Sequence, residues 1–465
     1  MNNMSFRDYP LPQHLIQALD SMGIVTPTDT QVACMQQIFA GQDVALQAKT
    51  GSGKTLAFSL PMLAKLKLDN GPPKGLVLCP TRELAEQVAE QIRQAGKGLA
   101  NLKVVTLVGG LPIGPQIKSL GYGADVLVGT PGRILDLREK RSLDLSAIEV
   151  LILDEADRML DMGFEQQMRT LLQQLKRSAN AHQRQTLLFS ATFPDAIQAM
   201  SEGYQRDPVF IKVDTQDQQS TIKQLAYRVL DDKRSMAVAA LLTHYQSPSV
   251  MVFCRTRKDV NDLSGELRDM GFNAKGLHGE LEQNERSELM ARFANKTLDI
   301  LVATDVAARG LDIEKVDLVI NHRVSEDVDT HVHRIGRTGR AQETGTAITL
   351  ISEQEEDKLD EIAARTDANI EKHHIQSIRF HANRILAPSF YCIQVNGGKR
   401  DKLRPGDILG ALTKEAGIPV EDIGKITIQA KQAFIAVKLR SVKRCLQQFR
   451  EGKIKGKRFK ARKLS

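Results

Sequence analysis

One segment near the start of the chain constrains its fold more than any other: residues 48–55 read AKTGSGKT. A short apolar run precedes this segment and an apolar helical stretch follows it, which places the glycines at a turn from strand to helix. Glycines at such a turn let several backbone N–H groups face one anion, and the first turn of the helix adds positive charge. The segment therefore predicts a phosphate-binding loop in an α/β domain.

The residues of this loop have separate predicted roles. Lys54 is expected to contact the β- and γ-phosphates of a nucleotide triphosphate, and Thr55 to ligate Mg²⁺. The remaining predicted nucleotide contacts are Ala48, Thr50, Gly51, Ser52 and Gly53. The usual pattern has glycine where this chain has Ala48, but the rest of the pattern is intact. A glycine-rich turn without a ligand is the alternative, and the flanking strand and helix favour the nucleotide.

A second segment supplies carboxylates, directly after the apolar run VLIL at residues 150–153. Asp154 is expected to hold Mg²⁺, directly or through water, at the carboxyl end of that strand. Glu155 is the candidate that orients or deprotonates the attacking water. An acidic helix N-terminus stabilised by the helix dipole is the alternative, which the phosphate loop makes weak. Together the two segments predict a site that cleaves the terminal phosphate bond of a nucleotide triphosphate.

Composition and charge limit the class of protein. No apolar run reaches the roughly 18 residues that span a bilayer, and the N-terminus lacks the pattern of a signal peptide, so a cytoplasmic protein is predicted. The five cysteines form no CxxC pair, and Cys79 and Cys254 lie in apolar runs, which predicts buried thiols. Residues 389–465 carry 19 Lys and Arg against 6 Asp and Glu, a net of +13, and the rest of the chain carries −5. This asymmetry predicts a module that binds a polyanion.

Short apolar runs alternate with helical stretches through most of the 465 residues. The runs lie at 43–47, 75–79, 103–107, 125–128, 150–153, 185–189, 249–253, 299–303 and 318–320. Continuous apolar strands spaced by helices indicate parallel sheets covered on both faces. We predict an α/β fold with two tandem parallel-sheet domains, at residues 1–212 and 220–372. A polar linker is predicted at 213–220, and a charged helix at 353–372 leads out of the second domain.

Residues 388–465 form a third, smaller block. Its pattern predicts a strand at 390–395, a helix at 405–415, strands at 423–428 and 433–439, a helix at 442–450 and a basic final strand. This β-α-β-β-α-β order is used by small RNA-binding folds.

Further motifs follow one order along residues 6–350. They read GIVTPTDTQ at 23–31, PTRELA at 80–85, GG at 109–110, TPGR at 130–133, SAT at 190–192, ATDVAARGLD at 303–312 and HRIGRTGR at 333–340. In this order they resemble the DEAD-box ATP-dependent RNA helicases, which implies two RecA-like domains. The resemblance implies that Gln31 pairs with the adenine edge and Phe6 stacks on the ring, which favours ATP over GTP. Thr30 replaces the family's usual isoleucine and leaves Gln31 in place.

The resemblance also implies which residues contact RNA, since backbone N–H groups, hydroxyls and arginines suit phosphate oxygens. In the two larger domains these are Thr81, Arg82, Gly109, Gly110, Thr130, Gly132, Arg133, Arg255, Gln283, Arg286 and Thr304. Read singly, each motif could be an ordinary turn or helix cap, and only their joint order favours RNA. Residues implied to couple hydrolysis to strand separation are Ser190, Thr192, Asp157 and His333.

In the second domain, the resemblance implies that Asp312 contacts the ribose. Arg337 and Arg340 are implied to be arginine fingers that neutralise charge developing on the γ-phosphate. Because the fingers and the phosphate loop belong to different domains, ATP and RNA together are expected to close the cleft between them. Closure around a bent single strand would expel one strand of a short duplex.

The third block resembles the RNA-recognition motif of the DbpA subfamily, on YCIQVNGGK at 391–399, RPGDILGAL at 404–412 and GKIKGK at 452–457. That subfamily is associated with bacterial 23S rRNA and large-subunit assembly, so the block is implied to tether the chain to 23S rRNA. The strand at 431–439 offers one aromatic, Phe434, so base stacking across the sheet is doubtful. The residues predicted to bind RNA are Lys399, Lys453, Lys455 and Lys457, beside Arg400, Lys402 and Arg458. A solvated basic surface is the alternative.

The motifs predict a monomeric, RNA-stimulated ATPase that unwinds short RNA duplexes with ATP and Mg²⁺. An ATP-gated RNA clamp with little turnover is the main alternative, and intact Glu155, Arg337 and Arg340 favour turnover. A DNA helicase is disfavoured by the RNA-type third block. A protein-only chaperone would leave the basic third block unexplained.

Overall fold

The structure of the protein is a computed structural model, and it describes residues 4–48, 51–69, 71–178, 180–213, 222–308, 316–339 and 345–464. Within these residues the chain divides into two compact units. The first unit ends at residue 213, and the second begins at residue 222 and contains both later blocks. None of the described helices is both long enough and apolar enough to span a membrane.

The first unit is built on a parallel sheet whose central strands are buried along their whole length. Its strands are β1 (Val44–Gln47), β2 (Gly75–Leu78), β3 (Val104–Leu107), β4 (Val126–Gly129), β5 (Val150–Asp154), β6 (Gln185–Ser190) and β7 (Val209–Lys212). They pair in the order β3-β4-β2-β5-β6-β1-β7.

Helices cover both faces of this sheet. They are α1 (Gln13–Ser21), α2 (Asp29–Phe39), α3 (Lys54–Lys65), α4 (Arg82–Ala95), α5 (Ile113–Gly121), α6 (Pro131–Glu139), α7 (Ala156–Asp161), α8 (Glu165–Lys176) and α9 (Asp195–Tyr204). Because side chains alternate along a strand, neighbours in one strand belong to different cores. Val77 and Ile152 join one hydrophobic cluster, whereas Leu76 and Leu151 join the other.

The second unit repeats the same sheet. Its strands are β8 (Ile222–Arg228), β9 (Val250–Cys254), β10 (Ala274–Leu277), β11 (Ile300–Thr304), β12 (Leu318–Asn321), β13 (Gly345–Ile351) and β14 (Ile370–His374). The order β10-β11-β9-β12-β13-β8-β14 is that of the first unit, strand for strand. The helices are α10 (Arg234–Tyr245), α11 (Arg257–Asp269), α12 (Gln283–Ala294), α13 (Asp305–Ala308), α14 (Val328–Ile335) and α15 (Glu356–Thr366).

The C-terminal domain, which follows in the same unit, is a small antiparallel sheet with helices on one face. Its elements are β15 (Tyr391–Val395), α16 (Pro405–Gly410), β16 (Ile423–Ile428), β17 (Ala433–Val437), α17 (Leu439–Glu451) and β18 (Ala461–Lys463). The strands pair in the order β16-β17-β15-β18. Ile393 and Ile435 of the sheet pack with Ile408 and Phe449 of the helices.

The other face of this small sheet rests on α12. Phe434 is fully buried and packs with Cys392 and with Ala291 of α12. The Gln429 Nε2 group donates a hydrogen bond of 2.8 Å to the Ser287 carbonyl oxygen on the same helix. The centre of the sheet is therefore covered by the domain that precedes it.

The predicted α/β architecture, with two tandem parallel sheets and a β-α-β-β-α-β domain, is confirmed. The prediction omitted β7, β8, β10, β13 and β14. Three of these, β7, β10 and β14, are edge strands, and β7 and β14 have exposed or half-buried residues throughout. A strand that buries little apolar surface has no continuous apolar run in its sequence.

The predicted charged helix at 353–372 is too long. Helix α15 ends at Thr366, Asp367 takes the left-handed conformation with φ of 50°, and the chain then forms β14. The second domain also extends past the predicted boundary at 372, because Ile375, Ile378 and Phe380 pack against its core. Apart from Val213, the predicted linker lies outside the described residues. All five cysteines are buried.

Candidate functional site

The phosphate loop begins at the carboxyl end of β1 and is tied to the start of α2. The Thr28 hydroxyl donates to the Ser52 carbonyl oxygen at 2.8 Å, and the Gln31 amide donates to the Gly53 carbonyl oxygen at 3.0 Å. Gly53 has φ of 89°, and a Cβ atom there would lie 2.7 Å from Gln31 Nε2. Glycine is therefore required at position 53 by conformation and by space.

Two polar groups of the loop are buried and available to an anion. Lys54, the first residue of α3, is 6% exposed, and its Nζ donates to the Ala48 carbonyl oxygen at 2.8 Å. Ser52 Oγ is buried and has no hydrogen-bond partner among the described residues. A buried donor without a partner costs free energy, so the loop is built for a ligand. Thr50 lies outside the described residues, and Thr55 follows Lys54 in the first turn of α3.

Asp154 ends β5 and is almost completely buried. Burial raises the pKa of its carboxyl group to about 7, with Glu155 adding to the rise and the Lys54 ammonium opposing it. Its Oδ1 atom has no hydrogen-bond partner within the described residues. A buried carboxylate oxygen without a partner, near a phosphate loop, fits an Mg²⁺ ligand because Mg²⁺ prefers oxygen donors.

Glu155 is held by a residue that the sequence prediction missed. It takes the left-handed conformation, with φ of 53°, and its Oε2 accepts a hydrogen bond of 3.1 Å from Arg158 Nη1. Both side chains are buried. This ion pair fixes the orientation of the Glu155 carboxylate, as a candidate general base requires. The three-residue spacing of Glu155 and Arg158 at the start of a helix is the sequence signal that could have identified this pair.

Asp157 joins the carboxylate turn to the end of β6. Its Oδ2 accepts hydrogen bonds from the backbone N–H groups of Ala191 and Thr192, at 3.0 and 2.9 Å. Its own N–H donates to Ser190 Oγ at 3.2 Å. These hydrogen bonds join Asp157, Ser190 and Thr192, three of the residues that the resemblance implies for coupling. Their role in coupling stays a prediction.

The two residues predicted to contact adenine are both buried. Phe6 is 2% exposed and packs in the first hydrophobic cluster. The Gln31 amide is used within the protein, because its Oε1 also accepts from the Thr28 N–H at 2.9 Å. Adenine contact by these residues stays a prediction, and it would require Phe6 to become accessible.

The predicted RNA contacts of the first unit lie at the carboxyl ends of three neighbouring strands. Thr81 and Arg82 follow β2, the two glycines follow β3, and the residues from Thr130 to Arg133 follow β4. Nη1 of Arg82 and Nη1 of Arg133 are buried without a hydrogen-bond partner among the described residues. Such donors suit phosphate oxygens. The Thr81 hydroxyl, in contrast, caps α4 by accepting from the Leu84 N–H at 3.2 Å.

The second unit shows the same clustering. Arg255 follows β9, Gln283 and Arg286 lie in the first turn of α12 after β10, and Thr304 ends β11, and these three strands are neighbours. Arg255 is exposed and pairs with Glu326 at 2.7 Å. In each unit, the residues predicted to bind RNA therefore lie together at the carboxyl ends of neighbouring strands.

The arginine-rich motif of the second unit contains a structural residue that the sequence prediction missed. Arg334 is buried and donates two hydrogen bonds to the Asp305 carboxylate, at 2.6 and 2.7 Å. This pair joins two motifs that are far apart in sequence. His333 lies on α14, and Arg337 follows that helix and is 7% exposed. Arg340 and Asp312 lie outside the described residues.

The basic loops of the C-terminal domain meet at one place. Lys455 Nζ donates to the Lys402 carbonyl oxygen at 2.9 Å, which joins the loop after β15 to the loop before β18. Lys399, Lys453 and Lys457 are exposed beside this contact. Lys455 also pairs with Asp407 at 2.7 Å, so it is the least available of the predicted RNA-binding lysines.

A phosphate loop with two buried carboxylates, a second sheet of the same order and a basic third domain define a helicase core with an RNA-binding appendage. Family models match in the same order along the chain. They are the DEAD/DEAH box helicase at residues 28–200, the helicase conserved C-terminal domain at 232–342 and the DbpA RNA binding domain at 392–463. The chain belongs to the DEAD-box helicase family and is an ATP-dependent RNA helicase that binds RNA.

Individual relatives narrow this assignment to the DbpA subfamily. The chain is 42% identical over 454 residues to the ATP-dependent RNA helicase DbpA of Escherichia coli, covering 98% of each protein. It is 37% identical over 399 residues to the ATP-dependent RNA helicase DeaD of Buchnera aphidicola, covering 86% of this chain and 65% of that protein. Among solved structures, Saccharomyces cerevisiae Dbp5 bound to RNA and ADP BeF3 matches with a TM-score of 0.72 and 29% identity, over 80% of this chain and 96% of that chain.

Proposed function

We propose that this protein unwinds short RNA duplexes locally and is targeted to 23S rRNA by its C-terminal domain during assembly of the large ribosomal subunit. It acts in the cytoplasm as a monomer and uses Mg²⁺ with ATP. The observation that carries the chemistry is the buried Asp154 oxygen, which has no hydrogen-bond partner in the described part of the chain and whose carboxyl group interacts electrostatically with Lys54. The observation that supports the targeting is the pair of basic loops in a domain that matches the DbpA RNA binding domain.

Each buried group of the first unit has a task in this proposal. Lys54 and the loop N–H groups bind the phosphates, and Asp154 and Thr55 hold Mg²⁺, which neutralises charge on the phosphate oxygens when bound. Glu155 accepts the proton of the attacking water. Arg158 positions Glu155 for this step through their buried ion pair.

The remaining proposed roles concern the phosphate charge and the link to RNA. Arg337 and Arg340 supply positive charge to the γ-phosphate as it leaves, and Asp312 contacts the ribose. Because Asp157 is bonded to the chain at Ala191 and Thr192, a movement of the carboxylate turn is transmitted to the end of β6. Ser190 and Thr192 therefore couple hydrolysis to RNA in this proposal.

The test is steady-state ATP hydrolysis with no nucleic acid, with 23S rRNA, with unrelated RNA of equal length and with DNA. A Lys453→Ala/Lys457→Ala variant is compared with a Lys414→Ala/Lys443→Ala control, which removes the same charge from exposed positions on the helices of that domain. We expect stimulation mainly by 23S rRNA, and a loss of that preference only in the first variant.

Other outcomes would revise the proposal. Equal stimulation by all RNAs would remove the targeting role and leave the C-terminal domain as a general basic anchor. ATP-dependent binding of RNA without stimulation of hydrolysis or displacement of a short strand would favour the clamp.

A further inference from the structure

The face of the C-terminal sheet that packs on α12 offers no accessible aromatic ring at its centre. RNA-recognition motifs ordinarily stack bases on aromatic side chains of this face. Here Phe434, the aromatic residue of β17, is buried against Ala291 and Cys392. RNA recognition on this face must therefore use hydrogen bonds and charge at the part that α12 leaves open.

That open part contains a cavity of about 270 Å³. It is lined by Gln394, Asn396, Gln432, Lys460, Ala461 and Arg462. Five of these six side chains are polar, with three amides and two cations and no carboxylate. The volume is near the lower limit of small-molecule pockets, which is roughly 300 Å³, so a single nucleotide is a ligand of suitable size.

A chain of hydrogen bonds fixes two of the three amides of the cavity, those of Gln394 and Gln432. Arg462 Nε donates to Gln394 Oε1 at 2.7 Å, and Gln394 Nε2 donates to Gln432 Oε1 at 2.8 Å. Gln432 Nε2 then donates to Gln429 Oε1 at 3.2 Å. Gln429 Nε2 in turn donates to the Ser287 carbonyl oxygen of α12. Side chains held in this way are pre-organised, which lowers the entropy cost of binding.

The two cations of the cavity are available to an anionic ligand. Lys460 and Arg462 form no ion pair with any carboxylate in the described part of the chain. With its Nε bonded to Gln394, Arg462 still has the N–H groups of its two Nη atoms, and this pair matches two acceptors on a base edge or a phosphate. Amides and an arginine are the groups that proteins use to read base edges.

We propose that this cavity binds one unpaired nucleotide of RNA, with the Gln394 and Gln432 amides and the Arg462 guanidinium on the base and Lys460 toward the phosphate. The proposal rests on the proposed function only in taking RNA as the ligand of the C-terminal domain. The hydrogen-bond chain ends at Ser287 of α12, the residue after Arg286. The predicted RNA contacts Gln283 and Arg286 lie on the same helix, so the proposed nucleotide site is linked to the helix that carries them.

The test uses the full-length protein and equilibrium titrations of fluorescently labelled RNA. The two probes are a 23S rRNA fragment containing unpaired loops and a fully paired RNA duplex of equal length. The variants are Gln394→Met, Gln432→Met and Arg462→Ala. Arg450→Ala is the matched control, because Arg450 is exposed on α17. Thermal unfolding midpoints identify any variant that is misfolded, and the second amide variant replaces the first if Gln394→Met fails this check.

We expect Arg462→Ala and at least one amide variant to weaken binding of the loop-containing RNA about tenfold, and duplex binding to stay within twofold. Unchanged affinity in all three variants would overturn the proposal. A loss in Arg462→Ala that is equal for both probes, with the amide variants unchanged, would reduce the site to a phosphate contact and also overturn it.

Two further outcomes separate this inference from the proposed function. If the wild-type protein shows no preference for 23S rRNA over unrelated RNA but the amide variants still lose loop binding, targeting fails and the cavity stands. Displacement of the loop-containing RNA by free AMP, GMP, CMP or UMP that is equal for wild type and the amide variants would place the base contact outside the cavity and overturn the proposal, whatever the preference for 23S rRNA.

Discussion

The two large sheets have the same strand order, and the helix after the first strand of each begins with a buried cation. In the first unit this is Lys54 of α3, and in the second it is Arg234 of α10. Lys54 donates to one carbonyl oxygen, that of Ala48. Arg234 is saturated by the protein: it bonds to Asp231 at 2.7 Å, to the carbonyl oxygens of His322 and Leu350 and to the Glu355 carboxylate.

The residues that follow the corresponding strands beside these cations differ in charge. After β5 the first unit has Glu155, which is paired with Arg158 close to the phosphate loop. After β12, the corresponding strand, the second unit has His322, a buried residue whose ring nitrogens have no hydrogen-bond partner among the described residues. One fold thus carries a charged site with unmet hydrogen-bonding capacity in one copy and an internally neutralised cation in the other. The fold alone does not confer the activity.

The largest effect is expected for Lys54→Ala. Because the phosphates would lose their buried cation, ATP hydrolysis at saturating RNA should fall about 100-fold to 1,000-fold. The melting temperature without nucleotide should hardly change, since Lys54 makes a single hydrogen bond to the residues that the structure describes. Lys67→Ala, at an exposed position just after α3, is the control. Hydrolysis within twofold of wild type would refute the role of Lys54.

Arg234→Met should have the opposite effects, which are a loss of stability and little change in ATP hydrolysis. Removing one partner of a buried charge cluster costs about 3 kcal/mol in the free energy of unfolding, whereas hydrolysis per folded molecule should stay near wild type at low temperature. Chemical denaturation of the full-length protein measures the first quantity. Arg365→Met breaks only an exposed pair with Glu361 and should be nearly neutral. A selective loss of hydrolysis in Arg234→Met would show that the second cation is functional after all.

A smaller, pH-dependent effect is expected at His322. Burial and the nearby arginines lower its pKa to about 4, against the opposing carboxylates of Asp259 and Glu355. The unfolded state therefore binds a proton below pH 6.5 that the folded state does not. Stability should fall as the pH is lowered from 6.5 to 4.5, by on the order of 2 kcal/mol.

Denaturation of wild type and His322→Gln across this range tests the expectation. The variant should have the flatter pH profile, and His244→Gln, at an exposed position on α10, should follow wild type. Identical slopes for wild type and His322→Gln would contradict the assignment. His331, with a pKa also lowered to about 4 by burial, adds to the loss of stability, whereas Asp154 and Asp299, with pKa values raised by burial to about 7 and about 6, oppose it in both proteins.

The sequence by itself determined the nucleotide chemistry, the α/β class and the domain order. Those properties depend on local patterns: a glycine-rich turn between an apolar strand and a helix, carboxylates at a strand end, and apolar runs of buried strands. Three of the four edge strands, β7, β10 and β14, escaped it; β14, for example, reads IEKHH and buries little apolar surface.

The tertiary structure alone decided which cations are neutralised and which are available. The Arg234–Glu355 and Arg334–Asp305 pairs join residues far apart in the chain, and a residue's partner across such a distance is set by the topology of the sheet. The structure also decided that Phe434 is covered by α12 and that Gln394 and Arg462 border a cavity. Composition shows only that the C-terminal domain is basic. The packing of its sheet on a neighbouring helix buries the centre of that face and leaves polar side chains accessible at the cavity.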